Sequence, residues 1–219
     1  MATWITHMRV AAHFMRLHQD LNNREFLVGN IAPDGGVPNP DGIGLSFTPE
    51  KTVTHFHTSD TMRYDLRRFA EEYLRDRDDA RWPFYLGYYF HLLTDRAFSQ
   101  WYNRKKQEPL YAGGLARDPK FIWEIKRDWY GQDHLYLQAR PDFAFYTMFA
   151  PIEAFPNIYF DFYPPEAFTR HVRRITQFYL NAEEDPARAF PYLSKEEADW
   201  LAEDAIQAIE QHLRTESLI

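Results

Sequence analysis

The sequence predicts a mostly α-helical protein, a multi-helix bundle forming one domain over residues 1–219. Three observations carry that prediction. Apolar residues at Ile5, Met8, Ala12, Met15 and Leu17 recur close to the 3.6-residue period of a helix. Cap and proline signals open further helices along the chain. Strand signals are confined to "AFYTMF" and "NIYFDFY", and both also suit a helix or a turn. With 219 residues, 45% of them hydrophobic and 17% aromatic, the chain has ample material for one core.

The elements follow in order. The first helix covers Ile5 to Leu17. From about Asn30 to His55 the text "NIAPDGGVPNPDGIGLSFTP" is dense in Gly, Pro, Asn and Asp, and predicts a long loop. A loop that long between helices is usually functional. Asp60 to Asp76 reads as a helix capped by Thr58 or Ser59. Pro83 suits the first turn of a helix that runs to about Lys105. "KKQEPLYAGGLARDP" reads as a second loop. Asp118-Pro119 is a cap-plus-first-turn signal for a helix to about Gln138. Prolines at 141, 151, 156, 164 and 165 cut the next stretch into short pieces, and a helix from about Pro165 to Asn181 follows. Ser194-Lys195-Glu196-Glu197 is a capping box that opens the last helix.

Composition removes several function classes. The net charge of −7 disfavours a nucleic-acid backbone as partner, and the short Arg patches "RRF" and "HVRR" read as solvated helix faces. Without cysteine there is no disulfide and no thiolate site, so a metal would be held by imidazole and carboxylate alone. No stretch approaches the roughly 18 apolar residues of a membrane span, and no export signal is evident; a soluble, cytoplasmic protein is expected.

Five residues carry the chemistry. His91 and Asp95 lie four apart in "GYYFHLLTD", on one helix face and about 6 Å apart at Cβ. Two ligands to one ion need that spacing, and an aspartate in so apolar a helix must be paired or coordinate a cation. A metal-free His–Asp hydrogen bond is the other reading. Asp34 ends "GNIAPD", where a stiff Pro33 and two glycines present a carboxylate suited to ligation or general base work; an Asx-turn is the alternative. In "THFHTSD", His55 and His57 face opposite ways if extended, so one of them points inward, with Phe56 as anchor to the core. His7 sits near the start of the first helix. His13 points away from it, six residues on, and His18, His171 and His212 read as surface or hydrogen-bonded side chains.

The stretches "THMRVAAHFM", "LVGNIAPD", "VTHF" and "LGYYFHLLTD", in this order over the first 95 residues or so, resemble the zinc-dependent phospholipase C family. Its superfamily also holds single-strand-specific nucleases. The resemblance implies a helical fold with a zinc cluster in a cleft built mainly from residues 1–95. It implies that Asp34, His55, His91 and Asp95 bind one zinc, and that His7 and a bridging Asp95 contribute to a second. The chain departs from the family pattern at Trp4, which is not the first residue, at Trp101 where a further histidine is expected, and at His134, whose partner four on is Gln138. Asp133 and His134 are the weaker substitutes for a third set; Glu124 and Asp128 read as a solvated face.

One or two zinc ions are expected, and His and Asp ligands suit Mn and Fe as well. The reading that follows is a metal-dependent hydrolase of a small phosphoester or phospholipid-like substrate, with Asp34 as base and a bridged pair of cations activating water. Tyr64, Tyr88, Tyr89 and Tyr130 are candidates for the cleft wall. A helical metal-binding hydrolase of a non-phosphate ester or amide and a non-catalytic module with a structural or vestigial metal site are the alternatives. The sequence is silent on oligomeric state.

Overall fold

A computed structural model describes residues 1–18, 21–40, 46–58 and 63–216. It is mostly helical. Helices α1 (Trp4–Leu17), α2 (Asn23–Gly29), α5 (Trp82–Lys105) and α9 (Lys195–Glu216) form the centre of the bundle, with α4 (Leu66–Tyr73) laid against α5. α6 (Pro109–Arg117), α7 (Ile122–Gln138) and α8 (Ala167–Leu180) complete it. The short α3 (Lys51–Thr54) follows a two-residue hairpin in which Val37–Pro38 (β1) pairs antiparallel with Phe47–Thr48 (β2).

Among its described residues the long loop thus carries several short elements. α2 runs directly into a single 3-10 turn, Ala32–Asp34, then the hairpin, then α3. The cap of α4 lies later than the sequence suggests. Asp65 accepts from the Arg68 N–H, and Thr58 instead donates its backbone N–H to Arg63 O. Ser59 and Asp60 lie outside the described residues. "KKQEPLYAGGLARDP" is not a loop. Pro109 opens α6, and burial of Tyr111, whose hydroxyl donates to Tyr192 O, outweighs the two glycines within it. The capping box before α9 is half formed: Ser194 Oγ accepts from Glu197 N, while the Glu197 carboxylate turns to Lys105 at 2.7 Å. "AFYTMF" becomes a π-helical turn, Phe145–Phe149.

α5 is the spine of the core. Fifteen of its residues are buried, from Phe84 to Trp101, so it is apolar on nearly all sides. α2 crosses it at backbone contact. A Cβ on Gly29 would stand 2.1 Å from Phe84 O, and one on Gly87 would stand 2.2 Å from Phe26 O. Only paired glycines allow that approach. It brings the chain leaving α2 directly over the middle of α5, where His91 lies.

Candidate metal centre

The inner face of α5 presents His91 and Asp95 one turn apart, both with no exposed surface. His7 comes from the first turns of α1, after a Thr3 cap whose Oγ1 accepts from Thr6 N. Its ring lies parallel to that of His91, 3.8 Å between centroids. Asp34 closes the 3-10 turn after α2. His55 ends α3. The next residue, Phe56, has φ 50, the left-handed region that a bulky side chain enters only at a cost of about 1–3 kcal/mol. That turn lets His55 face the cluster while Phe56 enters the core against Phe69. His57 diverges, its ring edge-on to Tyr64.

Asp95 is the hub. Its Oδ1 lies 3.4 Å from His7 Nε2 and accepts the Ala2 backbone N–H at 2.7 Å. Its Oδ2 lies 3.5 Å from both His55 Nε2 and His91 Nε2. The two oxygens therefore face different partners. His55 Nε2 is also 3.7 Å from Asp34 Oδ1, which holds Lys51 Nζ at 2.9 Å. Two groups of donor atoms result, each within 4.8 Å of one another: His7, His91 and Asp95, and Asp34, His55 and His91.

The outer nitrogens of His91 and His55 are held, whereas His7 Nδ1 is buried with no hydrogen-bond partner among the described residues. Asn30 O accepts from His91 Nδ1 at 3.0 Å, and His55 Nδ1 meets Thr54 Oγ1 at 2.9 Å. An imidazole tethered at Nδ1 to a carbonyl presents Nε2 as a lone pair in its metal-binding form. His7 Nε2, His55 Nε2, His91 Nε2 and Asp95 Oδ2 are buried and make no hydrogen bond among the described residues. Buried polar atoms left so cost roughly 1–3 kcal/mol each, which a cation among them would remove. The donor set is nitrogen and oxygen alone, and these residues fit a divalent ion of the Zn, Mn or Fe type.

Protonation agrees with that fit. Burial, reinforced by the neighbouring His91, pushes His7 down to about 4; burial likewise pushes His55 down to about 4. Both are neutral near pH 7, the form that ligates. Burial works to raise Asp34 and Asp95. Lys51 together with His91 and His55 outweighs it at Asp34, and the Met1 amino group together with His91, His55 and His7 does so at Asp95, holding both carboxyls well below the usual carboxylate range.

A pH dependence follows. The unfolded chain protonates these imidazoles near 6.5 and the folded chain only near 4. Between those values the unfolded state binds more protons, so stability falls as pH drops from about 6.5 to about 4. Buried His171, pushed down to about 3, acts in the same direction. Asp133, raised by burial to about 7, opposes them, because its folded form keeps a proton that the unfolded chain gives up near 3.8. Metal-free protein is expected to have a lower Tm at pH 4.5 than at pH 7. An equal or higher Tm at pH 4.5 would contradict buried neutral imidazoles.

Other candidates lie elsewhere. Asp133 accepts from Thr3 Oγ1 at 2.8 Å and from the Tyr179 hydroxyl at 2.5 Å, and serves the α1–α7–α8 junction. His134 packs on the rings of Phe178 and Tyr179. Neither reaches the cluster. Glu124 is exposed, but Asp128 is not on a solvated face: it is buried and pairs with Arg188 at 2.6 Å. Of the four tyrosines only Tyr130 lines the cleft at Asp34. Tyr88 donates to Thr54 O, Tyr89 bonds His212, and Tyr64 borders His57 on the side of Asp95, where burial and then the Asp95 charge raise its hydroxyl pKa.

Several supporting residues gave little sign in the sequence. The Tyr163 hydroxyl reaches Ala32 O and Pro33 O, each at 3.0 Å. His171 Nε2 bonds Ile31 O at 3.2 Å, and Arg174 Nη2 donates to Asp34 O at 3.2 Å. Arg174 thus leaves the solvated face read from "HVRR". The charge and spacing of Lys51, four before His55, were the one legible signal.

No known family model, curated protein or solved structure matches the chain. Among the described residues no helix is long and apolar enough to cross a membrane.

Proposed function

We propose that this chain is a metal-dependent phosphoesterase of the zinc-dependent phospholipase C type. The supporting observation is the Asp95 carboxylate, whose two oxygens face different imidazoles inside a wholly buried ring of His7, His55 and His91. Bound divalent ions would supply Lewis acidity and a water acidified toward neutrality. His55 and His91 hold Nε2 inward through their outer contacts, His91 belongs to both groups of donors, and Asp95 of the first lies 3.5 Å from His55 of the second. Asp34, kept ionised by Lys51, orients a water by accepting its hydrogen bond; a carboxylate held that low is a poor store for the proton. Membrane lipid is not required as substrate, and a small phosphoester suits the cleft.

A second reading has its own observation. The imidazole Nε2 atoms are closed to solvent, as in structural metal sites that shield their ion. The two are separated by turnover. Zinc-supplied protein is expected to hydrolyse 4-nitrophenyl phosphate or its bis-aryl diester, and His91→Ala is expected to lower the rate by at least about a hundredfold. Bound metal with no turnover on either ester would leave the structural ion.

A further inference from the structure

A cleft of about 330 Å³ opens beside Asp34. Three cations line it, each set over an aromatic ring of the same neighbourhood. Lys51 Nζ is 4.9 Å from the Phe47 ring, Lys126 Nζ 4.7 Å from Trp123, and the Arg174 guanidinium 5.4 Å from Trp4. Asp34 is the single carboxylate among the described lining residues, and Lys51 takes it. Lys126 makes no ion pair among the described residues. Arg174 spends Nη2 on Asp34 O and His171 Nδ1, while its buried Nε has no hydrogen-bond partner there. In a chain of net charge −7, this cleft carries three positive side chains against one negative, while the Met1 amino group at its edge is matched by Asp95 at 3.8 Å.

Unpaired cations in a half-buried cleft are costly unless an anion neutralises them. Burial pushes the Lys126 amine down to about 8, which is still cationic near neutrality. The excess over Asp34 is two charges, the charge of a phosphate monoester above its second ionisation near pH 6. A diester brings only one. The remaining wall is aromatic: Trp4, Tyr130 and Phe178 touch in sequence, with centroids 6.2 and 5.1 Å apart along that run. Such a wall accepts a flat or apolar group by stacking.

We infer that this cleft binds a dianionic phosphate monoester bearing a flat, apolar leaving group, with Lys126 and Arg174 gripping the phosphate and the Trp4–Tyr130–Phe178 wall receiving the rest. This names the substrate class of the proposed activity and rests on that reading for the chemistry, but the binding itself does not need a metal.

The test is calorimetric titration of phenyl phosphate and of diphenyl phosphate, into metal-free and zinc-supplied protein at pH 7. Phenyl phosphate is expected to bind metal-free wild type at least about tenfold tighter than diphenyl phosphate. Lys126→Met and Arg174→Met are each expected to weaken phenyl phosphate by about tenfold, with helix content by circular dichroism unchanged, and Lys126→Arg is expected to restore it. Equal affinities for the two esters, or folded Met variants that bind like wild type, would overturn the inference. Should zinc fail to bind while the monoester preference persists, the phosphoesterase reading falls and the anion cleft stands. Should zinc-dependent hydrolysis be found with Met variants indifferent to the monoester, the cleft falls alone.

Discussion

Asp95→Ala is expected to weaken metal affinity by more than about a hundredfold, beyond the 10–100-fold typical of losing an outer partner. The reason is that Asp95 is the carboxylate of the His7–His91–Asp95 group, with Oδ1 toward His7 and Oδ2 toward His91, and its Oδ2 also lies 3.5 Å from His55 of the other group. Removing it leaves the first group with imidazoles alone, while the second keeps Asp34. The variant also strips the acceptor from the Ala2 N–H and leaves a buried gap, so some loss of stability is expected even without metal, on the order of 3 kcal/mol. Asp95→Asn separates the two effects. Its amide keeps the volume and an acceptor for Ala2, yet is a far weaker ligand. Elemental analysis after zinc supply and dialysis should show both variants depleted relative to wild type. Equal metal in wild type and Asp95→Asn would remove the cluster as a metal site, and the phosphoesterase reading with it.

Gly87→Ala is the second large effect, although residue 87 touches no ligand. Its new methyl would stand 2.2 Å from Phe26 O and 2.9 Å from Asn30 N. The atoms it meets are backbone, which cannot swing aside as a side chain can. α2 must move off α5, opening the core around Phe26 and Phe84, at a cost of about 3 kcal/mol or more. Against a typical domain stability of about 5–15 kcal/mol this is a large share. The same displacement carries Asn30 O away from His91 Nδ1, now 3.0 Å apart. The variant is therefore expected to lose stability to urea and metal affinity together. A midpoint within experimental error of wild type would refute the backbone-contact crossing.

The helical class was legible because α5 and α1 are long and α1 is patterned at the helical period, and Pro83 marks the first turn of α5. His91 and Asp95 were legible for the same reason: spacing on a helix dictates a shared face. Asp34 and His55 stood out by local chemistry, a stiff loop and a histidine beside an aromatic anchor. What could not be read is contact between distant segments. Tyr163, His171 and Arg174 look in sequence like ordinary members of a proline-broken stretch and an arginine-rich helix, and only the fold turns them onto residues 31–34. Asp128 was misread because the sequence does not show Arg188 arriving opposite it. α6 was misread because its glycines were weighed without the buried Tyr111.

The grip on residues 31–34 divides labour along the chain. Every member of the donor ring lies at or before residue 95, while the hydroxyl, imidazole and guanidinium that clasp the Asp34 turn arrive after residue 160. During synthesis the ligands would emerge well ahead of the parts that steady one of them. Tight metal capture then becomes a late event, coupled to docking of the last third of the chain, and a fragment ending near residue 110 would own all the donors without the means to keep Asp34 in place.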